Sequence, residues 1–219
     1  FVGGFRGDFA DKWNWEVYYN YGQTKEATRS GTALRDRLYY ALDAVAGASG
    51  PECRDAAARA AGCVPLNIFG FNSASPEAIN YVTANGLEST YDSKIQQQVM
   101  AANISGSAFT LPAGDVKVAA GIERRVEKSR EVYDLDTQLG NTLSNALSNT
   151  FGRYSVWEAY GEAVVPIIAD KPGVDYLGIE GAVRYADYST VGGVWSWKIG
   201  GDYAPIPDVR FRAVYAVAT

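Results

Sequence analysis

Histidine is absent from this chain of 219 residues, and cysteine occurs only twice. Zinc sites are built mainly from Cys and His ligands, so the common zinc constellations cannot be assembled here. Nucleophilic arrangements of the Ser-His-Asp or Cys-His type need a histidine as well. The sequence therefore argues against most hydrolase classes, and we expect no catalytic residues, no metal and no cofactor.

An excess of positive charge and a long apolar run are also missing. The net charge is -5 and the pI is near 4.9, whereas nucleic-acid binders usually concentrate Lys and Arg on one face. We therefore expect no nucleic-acid partner. The longest apolar run, about Ala163 to Ala169, is far shorter than the roughly 18 residues of a membrane-spanning helix. A membrane β-barrel stays open, because its strands alternate between apolar and polar residues.

Aromatic residues and glycine are abundant, with 15 Tyr, 8 Phe, 5 Trp and 23 Gly, and this composition favours strands and tight turns. Residues 12–24 show the clearest pattern, because Trp13, Trp15 and Val17 alternate with polar neighbours at a period of two. Later segments follow the same rule. We predict strands at about 1–9, 12–24, 94–110, 115–128, 153–168, 175–188, 193–204 and 208–219.

The polar positions of these strands carry charges of both signs. In a barrel they would line the lumen, whereas in a soluble β-sandwich they would face solvent. The predicted lumen-lining residues are Asn14, Glu16, Glu123, Arg125, Glu158, Glu162, Glu180, Arg184, Lys198, Arg210 and Arg212. Four strand steps separate Glu158 from Glu162 by about 13 Å, which is too far for a pair of glycosidase carboxylates.

Compact turns alternate with long connections along the chain. The turns are Ala10-Asp11, Pro112-Ala113-Gly114, Asp170-Lys171-Pro172-Gly173 and Pro205-Ile206-Pro207-Asp208. The long connections cover 25–93 and 128–152. Short turns on one side and long loops on the other are typical of outer-membrane barrels, in which the turns are periplasmic and the loops external.

The segment 33–45 is a candidate strand that the layout of turns argues against. If the turns at Ala10 and Pro112 both face the periplasm, an even number of crossings must lie between them, and the strands 12–24 and 94–110 already supply two. Leu34, Leu38, Leu42 and Val45 also follow a helical period. We predict a helix inside the first long loop, and a second helix with Ser75 as N-cap and Pro76 at its first position.

The two cysteines, Cys53 and Cys63, lie in the same loop. A disulfide between them fits an exported protein. A continuous helix over this segment would separate the Cα atoms by roughly 15 Å, whereas a disulfide needs about 4.4 to 6.8 Å. The alternatives are therefore a bridge with only a short helix between the cysteines, or two free thiols.

An ordered set of short strings resembles the barrel region of TonB-dependent outer-membrane receptors. In the first long loop these are Leu42-Asp43-Ala44-Val45, Cys53-Arg54 and Cys63-Val64-Pro65-Leu66-Asn67-Ile68-Phe69-Gly70. In the predicted strands and turns they are Asn103 to Gly106, Leu111 to Gly114, Val118 to Arg125, Glu158 to Glu162 with Pro166, Glu180 to Ser189, and Arg210 to Arg212. Each string is short, but together they cover nearly the whole chain.

The resemblance implies a barrel of about 22 strands that is plugged by an N-terminal domain. It implies that external loops capture a scarce nutrient, such as an iron-siderophore complex, a cobalamin or an oligosaccharide. The TonB-ExbB-ExbD complex would drive import through the plug. We therefore expect an outer-membrane protein of a Gram-negative bacterium, surrounded by membrane lipid and with extracellular loops. No plug is recognised in the sequence, so we expect 1–219 to be a partial β-barrel domain of a longer receptor.

Two other functions stay open. A passive porin-like channel would need neither plug nor TonB, and a soluble β-sandwich could bind carbohydrate through exposed aromatic residues. Strand length favours a barrel, because segments of about 12 to 16 residues exceed the usual five or six of globular sheets. Trp13, Trp15, Trp195 and Trp197 also lie near strand starts, as an interfacial aromatic girdle requires.

Overall fold

The computed structural model describes residues 1–218, in which strands predominate over four short helices. The strands are β1 (Val2–Phe9), β2 (Trp13–Gly31), β3 (Ala44–Gly47), β4 (Gly50–Cys53), β5 (Glu88–Leu111), β6 (Gly114–Tyr133), β7 (Thr150–Lys171), β8 (Val174–Tyr188), β9 (Gly192–Ile206) and β10 (Val209–Val217). The helices are α1 (Arg35–Leu42), α2 (Ala56–Ala60), α3 (Pro76–Val82) and α4 (Leu135–Leu139).

Eight strands form one antiparallel sheet in the order β1-β2-β5-β6-β7-β8-β9-β10, and β3 pairs with β4 in a separate hairpin. Strands that follow one another in the large sheet are therefore neighbours in sequence, apart from the inserted hairpin. The predicted all-β antiparallel fold, with short helices in its long connections, is confirmed.

The described chain divides into two compact units. The strand unit comprises Phe1–Gln23, Gln96–Lys128 and Gly152–Thr219, and the loop unit comprises Thr24–Ile95 and Ser129–Phe151. The strand unit contains the larger part of the eight-stranded sheet. All four helices and the β3–β4 hairpin belong to the loop unit.

The strand register gives the sheet of the strand unit two different faces. On β8, Arg184 lies opposite Tyr160 of β7 and Ser196 of β9. The next residue, Tyr185, lies opposite Ala159 and Trp195. Because successive side chains of a strand point to opposite faces, one face is polar and charged while the other is aliphatic and aromatic. We call these the polar face and the apolar face.

Large side chains of the apolar face are exposed. Trp195 is 59% exposed, and Trp197, Ile199 and Ile122 are exposed as well. A contiguous surface of large, exposed apolar side chains is rare on soluble monomers, and it marks contact with another protein or with a membrane. The apolar face therefore requires an apolar environment.

Most of the hairpin turns contain residues that suit the positive φ angles required there. The β7–β8 turn is Pro172-Gly173, since Lys171 pairs with Val174. Gly173 has φ of 74°, and the Pro-Gly order suits a type II turn, in which the second central residue has positive φ. The β1–β2 turn places Ala10 and Asp11 at positive φ without glycine, which is uncommon for such residues.

Several strands extend beyond their predicted ends. β2 continues to Gly31 instead of ending near residue 24, and β5 begins at Glu88 instead of residue 94. β6 likewise runs to Tyr133, and β7 begins at Thr150. The added parts of β2 are polar and exposed on both faces, so they lack the alternation that reveals a strand in sequence. The connections predicted at 25–93 and 128–152 therefore contain strand as well as loop.

The predicted helix at 33–45 is present but shorter. α1 ends at Leu42, and Val45 belongs to the β3–β4 hairpin, which the sequence did not predict. The second helix begins as predicted, with the Ser75 side chain accepting a hydrogen bond from the Ala78 amide and Pro76 in the first position. Within residues 1–218, no helix is long and apolar enough to cross a membrane.

Gly106 provides a test of the packing between β2 and β5. A Cβ atom there would collide with the Lys12 carbonyl oxygen and would lie 2.7 Å from the Trp13 ring. Since the first obstacle is backbone, Gly106→Ala should destabilise the receptor that contains this chain by about 1 to 3 kcal/mol, as overpacking does. The melting temperature, followed by heat-dependent gel mobility, measures this effect.

Gly161→Ala is the matched control for Gly106→Ala. Apart from its chain neighbours, no described residue lies within 4 Å of the corresponding Cβ position on β7, so this variant should melt at or slightly above the wild-type temperature. Equal melting temperatures for the two variants would contradict the packing described for Gly106.

Candidate functional site: the polar face and the loop unit

Glu158 of β7 is the most buried charged residue of the polar face, with 5% exposure. Its carboxylate accepts a hydrogen bond from the Arg184 guanidinium on β8, and it lies 4.0 Å from the Arg125 guanidinium on β6. Burying a charge is costly unless it is paired, so one carboxylate between two guanidinium groups satisfies this requirement. The small Ala186 lies opposite Glu158 in the register.

A second charge cluster connects β9 and β10. The Asp202 carboxylate lies 3.4 Å from Arg210 and 3.1 Å from Arg212. Between the two clusters, Lys198 of β9 lies 3.8 Å from Glu180 of β8. These contacts are partly exposed, so each adds little stability by itself, but together they cover this face with paired charges of both signs.

Asn14, Glu16 and Glu162 belong to a more open part of the polar face. Asn14 accepts a hydrogen bond of 2.7 Å from the Ser105 hydroxyl of β5. Glu16 is paired with Arg6 in the β1–β2 register. All three line one concave surface, together with Asn103 and Tyr160.

Glu123 lies on β6 two residues before Arg125, so the alternation of the strand directs both side chains to the same face. The register and contacts bring Arg125, Glu158 and Arg184 into one cluster and Glu180 and Lys198 into another. Arg210 and Arg212 meet at Asp202.

Asn103 and Tyr160 are polar-face residues that the predicted lumen-lining set does not include. The Tyr160 hydroxyl donates a hydrogen bond of 3.0 Å to Asn103 Oδ1. Gly121 lies beneath this pair, since a Cβ there would collide with the Asn103 amide oxygen. Around Asn103 the odd-numbered positions of β5, from Val99 to Ser107, hold small uncharged residues, which carry little period-two signal.

The loop unit contains the disulfide. Cys53, at the end of β4, is bonded to Cys63, with Cα atoms 6.3 Å apart. Only the short helix α2 lies between them, capped by Asp55, whose carboxylate accepts a hydrogen bond of 2.7 Å from the Ala58 amide. Gly62, at φ of 87°, turns the chain back after the helix. Of the two alternatives, the bridge with a short helix is therefore confirmed.

An exposed apolar segment follows the disulfide, and we call Ile68–Phe71 the apolar tip. Phe69 is 84% exposed and Phe71 is 96% exposed. The Asn67 side chain accepts a hydrogen bond of 3.0 Å from the Phe69 amide, and the Ser73 hydroxyl donates to the Asn67 and Gly70 carbonyls. The tip is therefore held as a defined turn that presents aromatic side chains outward.

α1 connects the other parts of the loop unit. The Leu66 amide donates to the Ala41 carbonyl, which anchors the segment between the disulfide and the apolar tip on α1. At the other end of the helix, the Leu34 amide donates to Val82 of α3 and the Arg35 amide donates to Asn141. The loop unit is therefore an ordered structure, in which backbone hydrogen bonds join segments that are distant in sequence.

Asp134 joins the start of β5 to α4. Its carboxylate accepts hydrogen bonds of 2.8 Å from the Thr137 and Thr90 amides and one of 2.9 Å from the Thr137 hydroxyl. Partial burial by itself raises the pKa of Asp134, but the hydrogen bonds from Thr137 and Thr90 outweigh it and hold the pKa below its ordinary value. No group of three or more His, Cys, Asp or Glu side chains within residues 1–218 is arranged to hold a metal ion.

A long antiparallel sheet with a charged face, an exposed aromatic face and long structured loops on tight hairpins is the design of a membrane β-barrel protein. The whole described chain, residues 1–218, matches the family model "TonB dependent receptor-like, beta-barrel". The chain belongs to this family, as its sequence predicted. No curated protein and no solved structure gave a match to the chain.

The family assignment fixes the general function. Barrels of this family lie in the outer membrane of Gram-negative bacteria and serve as receptors in transport that depends on the TonB system. The soluble β-sandwich does not agree with this assignment, and the family is one of transporters rather than enzymes.

Glu158→Gln tests the charge cluster of the polar face. The substitution removes the only carboxylate within 4.0 Å of Arg125 and Arg184 in the described chain. We expect the receptor to lose about 1 to 3 kcal/mol of stability, measured by urea unfolding in detergent. Glu162→Gln removes a charge from the same strand and face without breaking an ion pair of the described residues, and should leave the unfolding midpoint unchanged.

The Asp134 contacts predict a pH dependence of the loop unit. Because the pKa of Asp134 is lowered in the folded state, its stabilising effect is complete above the ordinary pKa of about 3.9. It is lost as the pH falls through the lower, folded-state pKa. The protection factors of the Thr90 and Thr137 amides, which are relative to the slow intrinsic exchange in acid, should therefore fall at such acidic pH.

Asp134→Ala should cause the same loss of protection at pH 7. Asp136→Asn is the control, since within residues 1–218 the Asp136 carboxylate accepts a side-chain hydrogen bond only from Asn141. Slow exchange at Thr90 in Asp134→Ala would contradict the role assigned to the carboxylate.

Proposed function

We propose that this chain forms barrel wall and external loops of a receptor that actively imports a scarce nutrient, with an iron-siderophore complex, a cobalamin or an oligosaccharide as the ligand class. The observation that carries the proposal is the family match over residues 1–218. The energy would come from the TonB-ExbB-ExbD complex, acting through an N-terminal plug domain of the receptor.

In this proposal the polar face lines the lumen. Asn14, Glu16, Glu123, Arg125, Glu158, Glu162, Glu180, Arg184, Lys198, Arg210 and Arg212 would then face the plug and the water around it. Paired charges of both signs support this role, because they keep the wall hydrated without attracting ions of one sign. The apolar face would meet the membrane lipid.

The loop unit would be extracellular and would contribute to ligand capture. Its disulfide, its backbone hydrogen bonds and its exposed apolar tip support this role, since a binding surface gains affinity when it is ordered before the ligand arrives. Phe69 and Phe71 offer flat apolar surfaces, which suit the ring faces of a sugar, a corrin or an aromatic siderophore.

A passive porin-like channel is the remaining alternative, and energy dependence separates the two functions. A strain that lacks the receptor should fail to grow on one of the three ligand classes at limiting concentration. Uptake of that ligand by wild-type cells should stop when a protonophore collapses the proton gradient. Uptake that continues after the gradient is collapsed would contradict TonB-driven import and would support the passive channel.

The apolar tip gives a test of the loop unit. Phe69→Ala with Phe71→Ala in the full receptor should weaken binding of the identified ligand by about tenfold or more, because each exposed ring that becomes buried on binding contributes about 1 to 2 kcal/mol. Isothermal titration with the purified receptor measures this.

Leu143→Ala removes another exposed apolar side chain of the loop unit and should leave the affinity for the ligand unchanged. An unaltered affinity in the double phenylalanine variant would remove the apolar tip from the binding surface while leaving TonB-driven uptake untouched.

A further inference from the structure

The apolar face of the strand unit contains a groove that the proposed import function does not use. The groove has a volume of about 390 Å³ and is lined mainly by apolar side chains from five strands, with Arg124 as the cation among its lining residues. Its lining includes Phe5, Val17, Tyr19, Met100, Ile122, Trp157 and Arg124. Small residues such as Gly3 and Ala102 leave the space between the large side chains.

Arg124 is unusual because it belongs to the apolar face. Its neighbours Glu123 and Arg125 belong to the polar face, where Arg125 reaches Glu158. Arg124 instead lies over the Trp157 ring, with its guanidinium carbon 5.5 Å from the ring centroid. Its Nε is buried without a hydrogen-bond partner. Within residues 1–218 no carboxylate lies within 4.0 Å of the Arg124 guanidinium, so its charge is not neutralised by an ion pair.

Arg124 lies where the residues of this face change from mostly apolar to more polar along the strands. On β2 the residues of this face change from Val17 and Tyr19 to Tyr21 and Gln23, and Tyr21 accepts a hydrogen bond of 2.6 Å from Gln96 of β5. On β6 they change from Ala120 and Ile122 to Arg124 and Lys128, with the buried Val126 between these two cations.

This change places Arg124 at the level where the apolar layer of a membrane gives way to its headgroups. The aromatic ring beside it agrees, since aromatic residues of membrane barrels concentrate at the same interface. A cation above an apolar groove is complementary to a molecule with an anionic head and a hydrocarbon chain.

We propose that the groove and Arg124 form a binding site for a phosphate-bearing lipid, with an acyl chain in the groove and a phosphate on the Arg124 guanidinium. This inference rests on the proposed membrane orientation of the chain. The planar guanidinium can donate paired hydrogen bonds to phosphate oxygens, while Trp157 holds it at the surface of the sheet. Because the loop-bearing strand ends face outward in this orientation, the lipid belongs to the outer leaflet, where it is a phosphorylated glycolipid.

A carboxylate on the same face modulates the site. Asp187 of β8 lies opposite Trp157 in the register. Because β6 and β8 flank β7, its carboxylate borders Trp157 from the side away from the strand of Arg124. Its negative charge opposes a phosphate, which gives the site a residue whose removal should strengthen lipid binding. Lys128, on the same strand and face as Arg124, adds a second positive charge further into the headgroup level.

The test uses the full receptor purified from outer membranes, delipidated in a neutral detergent and titrated with diphosphorylated lipid A. Native mass spectrometry counts the bound lipid. Arg124→Gln should weaken binding by about fivefold, the effect expected for one basic residue at a membrane surface, and Arg124→Lys should retain most of it. Asp187→Asn should bind more tightly than the wild type.

Two controls distinguish lipid binding at this site from nonspecific electrostatic attraction and from nonspecific hydrophobic adsorption. Lys117→Gln removes a cation from the polar face of the same strand and should bind lipid A as the wild type does. Ala102→Phe fills the groove while leaving Arg124 in place, and should weaken binding of the same lipid.

Equal binding of lipid A and its dephosphorylated form would overturn the proposal, as would wild-type affinity in Arg124→Gln. A groove covered by a second copy of the receptor would instead appear as dimers that dissociate in Ala102→Phe whether or not lipid is present, and that result would also overturn it. Lipid retention needs neither the nutrient nor TonB, so its failure is distinguishable from failure of the proposed import function.

Discussion

Within the apolar layer of a membrane, a backbone N–H or C=O group without a hydrogen-bond partner costs several kcal/mol, because no water can replace the partner. The eight-stranded sheet satisfies this requirement through its ladders, in which each inner strand is bonded on both sides. Long strands and tight hairpins follow directly, since every loop within the layer would expose backbone. The same requirement explains why the helices and the β3–β4 hairpin belong to the loop unit.

The alternation of side chains along each strand places apolar residues on one face of the sheet and charged residues on the other. In the proposed orientation the apolar face contacts hydrocarbon, with Arg124, Lys128 and Asp187 among its charged residues, while the polar face accumulates charge. Glu158 shows how that charge is managed, because guanidinium groups from two other strands converge on one buried carboxylate. Such a cluster connects three neighbouring strands through side chains, in addition to their backbone ladders.

The sequence predicted those parts of the fold in which side chains alternate regularly. The strand that begins at Trp13 was evident because large aromatic residues alternate with polar ones, and the helix at 33–45 followed from parity and helical spacing. The extension of β2 to Gly31 was missed, because its residues are polar on both faces. The β3–β4 hairpin was missed because each of its strands is only four residues long, and such short segments carry little periodicity.

Alternation alone was enough to select the polar-face residues. It could not identify the side chains with which they form ion pairs. Arg125, Glu158 and Arg184 are distant in sequence, and one sequence does not fix the register that brings them together. Asp202 was equally hidden as the meeting point of Arg210 and Arg212. For the cysteines, geometry limited the possible helix between them, but only the structure showed that they are bonded.

The disulfide has a consequence for the order of assembly. Cys53 and Cys63 are separated by ten residues, and the short helix between them is capped by its own Asp55. The ring can therefore close on local contacts, without any pairing of the long strands. An oxidising compartment can seal this segment while the rest of the polypeptide is still unpaired. In the proposed orientation, the first long loop would then cross the membrane as a closed ring and not as an open chain.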